Sequence, residues 1–178
     1  VIFDSFVRHL RAVGWEVNFV RNFTDVDDKI IRRANELGEA PLALAQRYID
    51  RFHRAVDGLG LARPNSEPRV SECIEEIQGV ILRLVEKGHA YVLEGTVWFA
   101  VKTSAEYGHL SGQNVDELRS QDEVTGKRHS ADFALWKAVK PGEPSWQSPW
   151  GEGRPGWHIE CSAMAYKEIG ENVDIHGG

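Results

Sequence analysis

The sequence predicts an α/β fold: a partial parallel sheet, interrupted by an inserted segment that carries a β-hairpin. Three observations carry this expectation. A helix-spaced apolar run, a glycine and a short strand follow one another from Val1 to Val20, the opening rhythm of an α/β sheet. The run Val173-Asp174-Ile175 ends in His176 and glycines. It repeats the arrangement at Val20–Thr24, where a strand delivers polar groups at its carboxyl end. Between them, Ala90–Val101 reads as a hairpin turning at Glu94-Gly95. The division expected is 1–68 for the first part of the sheet-bearing domain, 69–152 for a helix and the insertion, and 153–178 for the return.

Each element has its own warrant. Ile2, Phe3, Phe6, Val7 and Leu10 recur at helical spacing over Val1–Val13, and Gly14 closes that helix. Glu16–Val20 is the first strand. Asp25, Asp27 and Asp28 supply acceptors and negative charge to the start of the helix Lys29–Leu37. Three carboxylates in four residues also raise a divalent metal site, but no glycine stands where a Ca²⁺ loop needs one. Pro41 precedes a helix over Leu42–Leu59, with Leu44, Ala45, Tyr48, Ile49, Phe52 and Val56 on one side. Pro64 and Pro68 break the pattern across Gly60–Pro68. Val70–Lys87 is a long amphipathic helix closed by Gly88, and Cys73 in its acidic first turn reads as structural. Past the hairpin, Tyr107–Gly112 is rich in turn residues, Val115–Arg119 is a short helix, and Gln121–Ser130 is polar and mobile. Phe133–Lys137 is a compact apolar run. Pro141–Pro155 is too irregular for a helix and too apolar for disorder, hence an ordered, packed loop.

Composition bounds the function. Apolar residues at 42% of 178 are enough for a real core. A net charge of -6 excludes a basic nucleic-acid wrapper, so any contact with nucleic acid needs a local patch. No run approaches a membrane span, and no signal-peptide pattern opens the chain. Two distant cysteines give no disulfide framework, which fits a reducing, cytoplasmic setting. The chain opens without Met inside a helix and stops at Gly177-Gly178, so a piece of a longer protein is expected.

Chemistry concentrates in Gly153-Arg154-Pro155-Gly156-Trp157-His158-Ile159-Glu160-Cys161-Ser162-Ala163-Met164. Pro155 and Gly156 ahead of Trp157, Ile159, Cys161 and Met164 mark a helix start. Trp157 and Cys161 share a helix face, and His158 lies close to Cys161 or serves as a surface residue of the helix start. The helix dipole favours the thiolate of a cysteine near the N-terminus, and a thiolate suits Zn²⁺. A single cysteine on an apolar face serves equally as a small buried hydrophobe, and no second Cys or His stands at ligand spacing. Spacing leaves both readings open. Thr24 and Asn22, at the tip of the first strand, are placed to hydrogen-bond a polar substrate group.

The segment from Val20-Arg21-Asn22-Phe23-Thr24-Asp25 through Ala34-Asn35 resembles the one after the second strand of class I cysteinyl-tRNA synthetases. Asp132–Lys137, Pro141–Trp146, Ser148–Gly151, Gly153–Met164 and Asp174–Gly178 resemble further segments of that family, in order and nearly end to end. The resemblance implies a Rossmann-type catalytic domain split by a connective insertion. It implies activation of cysteine with ATP and Mg²⁺, and transfer to tRNA(Cys). It implies a zinc ion that binds the substrate thiolate and so selects cysteine over serine, by ligand type rather than pocket size.

By the same resemblance Cys161 is one of four protein zinc ligands, Thr24 and Trp157 line the cysteine pocket, and His176 stands at the adenylate site. No catalytic residue is assigned. The family's His-Ile-Gly-His signature, its Lys-Met-Ser-Lys-Ser loop and its anticodon-reading domain are not in these residues. Nor are its other zinc ligands, an upstream Cys and a downstream His and Glu. Alone, the chain is therefore expected neither to catalyse the reaction nor to hold zinc firmly. The ligase of mycothiol biosynthesis, which passes activated cysteine to an amino-sugar, resembles the same family. A non-catalytic binding fragment is the alternative from another class.

Overall fold

The computed structural model describes residues 1–109, 111–118 and 125–177. The chain forms two compact units, Val1–Cys73 with Met164–Gly178, and Ile74–Ala163.

In the first unit, α1 (Ile2–Ala12), α2 (Asp28–Leu37) and α3 (Pro41–Gly58) form where apolar spacing placed helices. Asp27 caps α2, its carboxylate accepting from the Lys29 amide at 2.7 Å, and Pro41 takes the first position of α3. Ile31, Ala34, Leu44, Ala45 and Ile49 are buried between these helices. Asp4 on α1 ties down the following linker: its carboxylate accepts from the Ala62 amide at 2.7 Å and from Arg8 Nε at 2.8 Å. The Ala62 amide foremost, then Arg8, holds the Asp4 carboxyl below its ordinary value.

The parallel sheet expected from the sequence is not what the described residues form. Neither Glu16–Val20 nor Val173–Ile175 is a strand. Segments 19–23 and 65–70 instead run side by side, with parallel bridges joining Val20 to Ser66 and Phe23 to Arg69. The Arg21 amide donates to the Ser66 carbonyl at 3.0 Å, the Phe23 amide to Pro68 at 2.9 Å, and the Val70 amide to Phe23 at 3.3 Å. The missing rung is the one residue 68 owes to Arg21, because Pro68 has no N–H. One proline thus breaks a strand pair into separate bridges. Asp25 does not cap α2 either. It is buried, and accepts from the Ser71 amide at 3.0 Å and the Ser71 hydroxyl at 2.5 Å. It thereby fixes the 3-10 turn Val70–Glu72, which is why the next helix begins later than its apolar spacing suggests.

In the second unit, α4 (Ile74–Glu86) buries Ile77 and Ile81. The sheet is antiparallel throughout, in the order β1 (Ala90–Leu93), β2 (Thr96–Phe99), β3 (Phe133–Ala138), β4 (Gly153–Pro155). The β1–β2 hairpin turns at Glu94 and Gly95 with φ of 52° and 75°, the two-residue turn whose twist matches paired strands. Between β2 and β3 the register steps from Val97↔Trp136 to Trp98↔Ala134, leaving Leu135 as a bulge. The end of the expected Pro141–Pro155 loop pairs with β3 as β4. Val115–Glu117 are turns, not helix. Leu110, Arg119 and 121–124 of the expected loop, short helix and polar stretch lie outside the described residues, as does Gly178.

Asp132 binds this unit together. Its buried carboxylate accepts from the Tyr91 hydroxyl at 2.8 Å, the Val101 amide at 3.0 Å and the His129 amide at 3.0 Å. The Tyr91 oxygen accepts in turn from the Arg128 amide at 2.9 Å. One acid thus joins β1, the 3-10 turn Val101–Thr103 that follows β2, and the loop before β3. Asp132→Ala strands two buried donors and a half-buried one and should cost about 3 kcal/mol or more in urea unfolding; a loss under about 1 kcal/mol would show that the donors find other partners.

Burial above all pushes the Tyr91 phenol up to about 12, with the Arg128 amide opposing and Asp132 reinforcing. The folded chain therefore holds this proton more tightly than the unfolded chain, whose phenol titrates near 10.0. The resulting stability is present below that pH and is lost as pH rises through the folded value. Tyr91→Phe should remove that part of the alkaline decline in a denaturation series, and a decline identical to that of the unsubstituted chain would contradict it.

Candidate functional site

Thr24 follows directly on the parallel bridge at Phe23. It is half-buried, and its hydroxyl accepts from Asn22 Nδ2 at 3.5 Å. With Phe23, Leu44, Ile49 and Phe52 it lines a cleft of about 390 Å³ in the first unit, where Lys29 and Arg33 of α2 supply the cations. The Arg33 guanidinium is engaged by Glu36 at 2.9 Å. His176 is exposed on the irregular segment that ends the described chain and does not line that cleft. Its neighbour Gly177 lies against α1, where a Cβ would meet Phe3 Cζ at 2.2 Å.

Trp157 and Cys161 stand one turn apart on α5 (Trp157–Glu168). The indole is 63% exposed although the four residues before it are buried. Cys161 is half-buried, and neither it nor Cys73 is in a disulfide. His158 is exposed at the second position of α5, as a helix-start residue would be. Its ring lies 4.6 Å from Phe133 and 5.2 Å from Trp157, and Phe133 stacks on Phe99 at 5.1 Å. Cys73 is buried, its sulfur 3.8 Å from Lys167 Nζ.

The start of α5 is built by the strand before it. Pairing of Lys137 with Arg154 and Trp136 with Pro155 lays β4 on β3. The Gly156 amide donates at 2.8 Å to the carbonyl of Leu135, the bulged residue. Gly156 has no room for a side chain, since a Cβ would sit 2.0 Å from the Ala134 oxygen. Arg154 is buried and forks onto Glu143, Nε to Oε2 at 2.8 Å and Nη2 to Oε1 at 3.1 Å. Sequence reasoning missed this pair. Its members stand eleven residues apart across an irregular loop, and neither helical nor strand periodicity links them.

Thr24 and His176 belong to the first unit, Trp157 and Cys161 to the second. Among the described residues no three His, Cys, Asp or Glu side chains gather as a metal site. Cys161 is one thiolate where a zinc centre asks for four ligands. The described residues by themselves therefore do not fit a zinc ion. No helix among them is long and apolar enough to cross a membrane.

The model of the family described as tRNA synthetases class I (C) catalytic domain matches residues 1–178. A protein of Anaeromyxobacter sp. (strain K), named cysteine–tRNA ligase, is 59% identical over 100% of this chain and 38% of its own length. A protein of the same name from Desulfotalea psychrophila is 55% identical over 99% of this chain and 37% of its own. Another, from Alkalilimnicola ehrlichii, is 55% identical over 100% of this chain and 39% of its own. The chain thus spans about two fifths of the length of the curated relatives it matches. It belongs to the family of class I (C) tRNA synthetase catalytic domains.

Proposed function

We propose that this chain is part of the catalytic domain of a cysteine–tRNA ligase, a cytoplasmic enzyme that activates cysteine with ATP and Mg²⁺ and passes it to tRNA(Cys). The observation that carries the reading is identity of 55–59% along the whole chain with proteins of that name. Those names favour tRNA over an amino-sugar as the acceptor. In this reading 1–68 and 153–178 belong to the Rossmann-type domain and 69–152 to the helix and connective insertion.

Trp157 and Thr24 are the proposed walls of the cysteine pocket, and His176 the proposed contact at the adenylate. The exposed indole at the head of α5 supports its part of the reading. A large apolar ring left in water beside a buried strand is surface that a ligand would cover. Cys161 is proposed as one thiolate ligand of a zinc ion whose other ligands lie outside the described residues. Zinc bound there would supply a soft Lewis acid that prefers a thiol to a hydroxyl.

The test uses the full-length parent enzyme, assayed for cysteine-dependent ATP–pyrophosphate exchange and for charging of tRNA(Cys). Charging of an amino-sugar in place of tRNA would overturn the reading. Cys161→Ser should strip most zinc, read by elemental analysis, and lower cysteine activation by about a hundredfold; full metal content would remove Cys161 from the ligand set. Trp157→Ala should raise the KM for cysteine about tenfold with little change in kcat, as loss of uniform binding does. A KM equal to that of the unsubstituted enzyme would remove Trp157 from the pocket.

A further inference from the structure

We propose that the Glu143–Arg154 ion pair is a positioning device for amino-acid recognition, acting through the start of α5 on Trp157 and Cys161. The inference rests on the reading of those two residues as parts of the cysteine site.

Arg154 is buried at 4% exposure, and Glu143 is half-buried, its side chain keeping 12% of its surface. With so little surface, the pair's role is exerted on the chain that carries it. A buried ion pair is a poor device for stability, because removing two charges from water offsets most of their attraction, and apolar side chains of the same size would serve as well. What a fork of two parallel bonds does supply is geometry, since it fixes the plane of the guanidinium as well as its distance.

That geometry is used. Arg154 is the central residue of β4, paired with Lys137. On either side of it are glycines with no space above them. A Cβ at Gly153 would lie 2.2 Å from the Lys137 oxygen, and one at Gly156 would lie 2.0 Å from the Ala134 oxygen. The backbone of β4 therefore lies tight against β3, and the ion pair ties it to the loop that carries Glu143. That loop is itself tied back, the Trp146 amide donating to the Gly153 carbonyl at 2.7 Å and the Ser145 hydroxyl to Glu152 at 2.7 Å. Four buried residues, Gly153 to Gly156, lead straight into an indole that is 63% exposed. A side chain so exposed has little packing of its own to hold it. Its position is inherited from the backbone three residues earlier, where Arg154 is clamped.

The test is a double-mutant cycle in the full-length parent enzyme, read as KM for cysteine and KM for ATP in pyrophosphate exchange, with active sites titrated. Glu143→Gln should raise the KM for cysteine about tenfold and leave the KM for ATP within about twofold. In a Trp157→Ala background the same change should add less than about threefold, because the residue it positions is gone. Arg154→Lys keeps the charge and loses the fork, so it should behave as Glu143→Gln does. It carries the measurement if Glu143→Gln does not fold. An unchanged KM for cysteine in the folded variants, or equal effects in both backgrounds, overturns the proposal. A role in stability alone would lower the titrated active fraction and leave KM untouched. If Trp157→Ala itself leaves the KM unchanged, the pocket reading fails and this proposal with it. A raised KM there, beside an unchanged one in Glu143→Gln, defeats this proposal alone.

Discussion

The tightest constraint in the second unit is the approach of β4 to β3. Two of the residues that face that contact, Gly153 and Gly156, stand where a single added carbon would overlap a backbone oxygen. The bulge at Leu135 turns that residue's carbonyl to meet the Gly156 amide. Everything the sequence places at the head of α5 starts from this contact: the exposed indole, the imidazole leaning on Phe133, and the thiol one turn on. Rigid delivery of a few side chains from an otherwise packed scaffold is how folds carry function.

Within each unit, buried and half-buried acids do the long-range joining. Asp25 connects the turn after the parallel bridge to Ser71. Asp132 connects β1, Val101 and the loop at His129. Glu143 connects an irregular loop to β4. Burying a carboxylate is costly unless it is fully bonded, so each of these acids specifies one arrangement of its segments and penalises the alternatives. Paired helices in the first unit and the antiparallel sheet in the second supply the regular framework, and these contacts decide how loops without periodicity are placed.

What was legible in the sequence follows the same line. α1, α2 and α3 were readable because their apolar residues recur at helical spacing, and the hairpin because Glu94-Gly95 interrupts two apolar runs. The start of α5 was marked by Pro155 and Gly156. The parallel strands were misread. At the first of them Pro68 withholds the donor that would have joined the rungs around Arg21, and the second, Val173–Ile175, is irregular. β4 was hidden because three residues of Gly, Arg and Pro have no strand propensity, and their pairing is set by the close approach that glycine permits. Asp25 read as one more acid at a helix start, since sequence shows the supply of carboxylates and not which of them turns inward. Thr24 was marked by its place at an expected strand tip, the roles of Trp157 and His176 came through resemblance, and spacing alone left Cys161 between a ligand and a small hydrophobe.

Hydrogen exchange at the amides of Gly153 to Cys161, measured in the full-length parent enzyme with and without cysteine, tests the central claim most directly. A clamped strand that presents a substrate surface should show Gly153 and Gly156 already slow in the absence of ligand, with added protection appearing from Trp157 onward when cysteine binds. Fast exchange at Gly156, or no change at Trp157 to Cys161 under saturating cysteine, would contradict it.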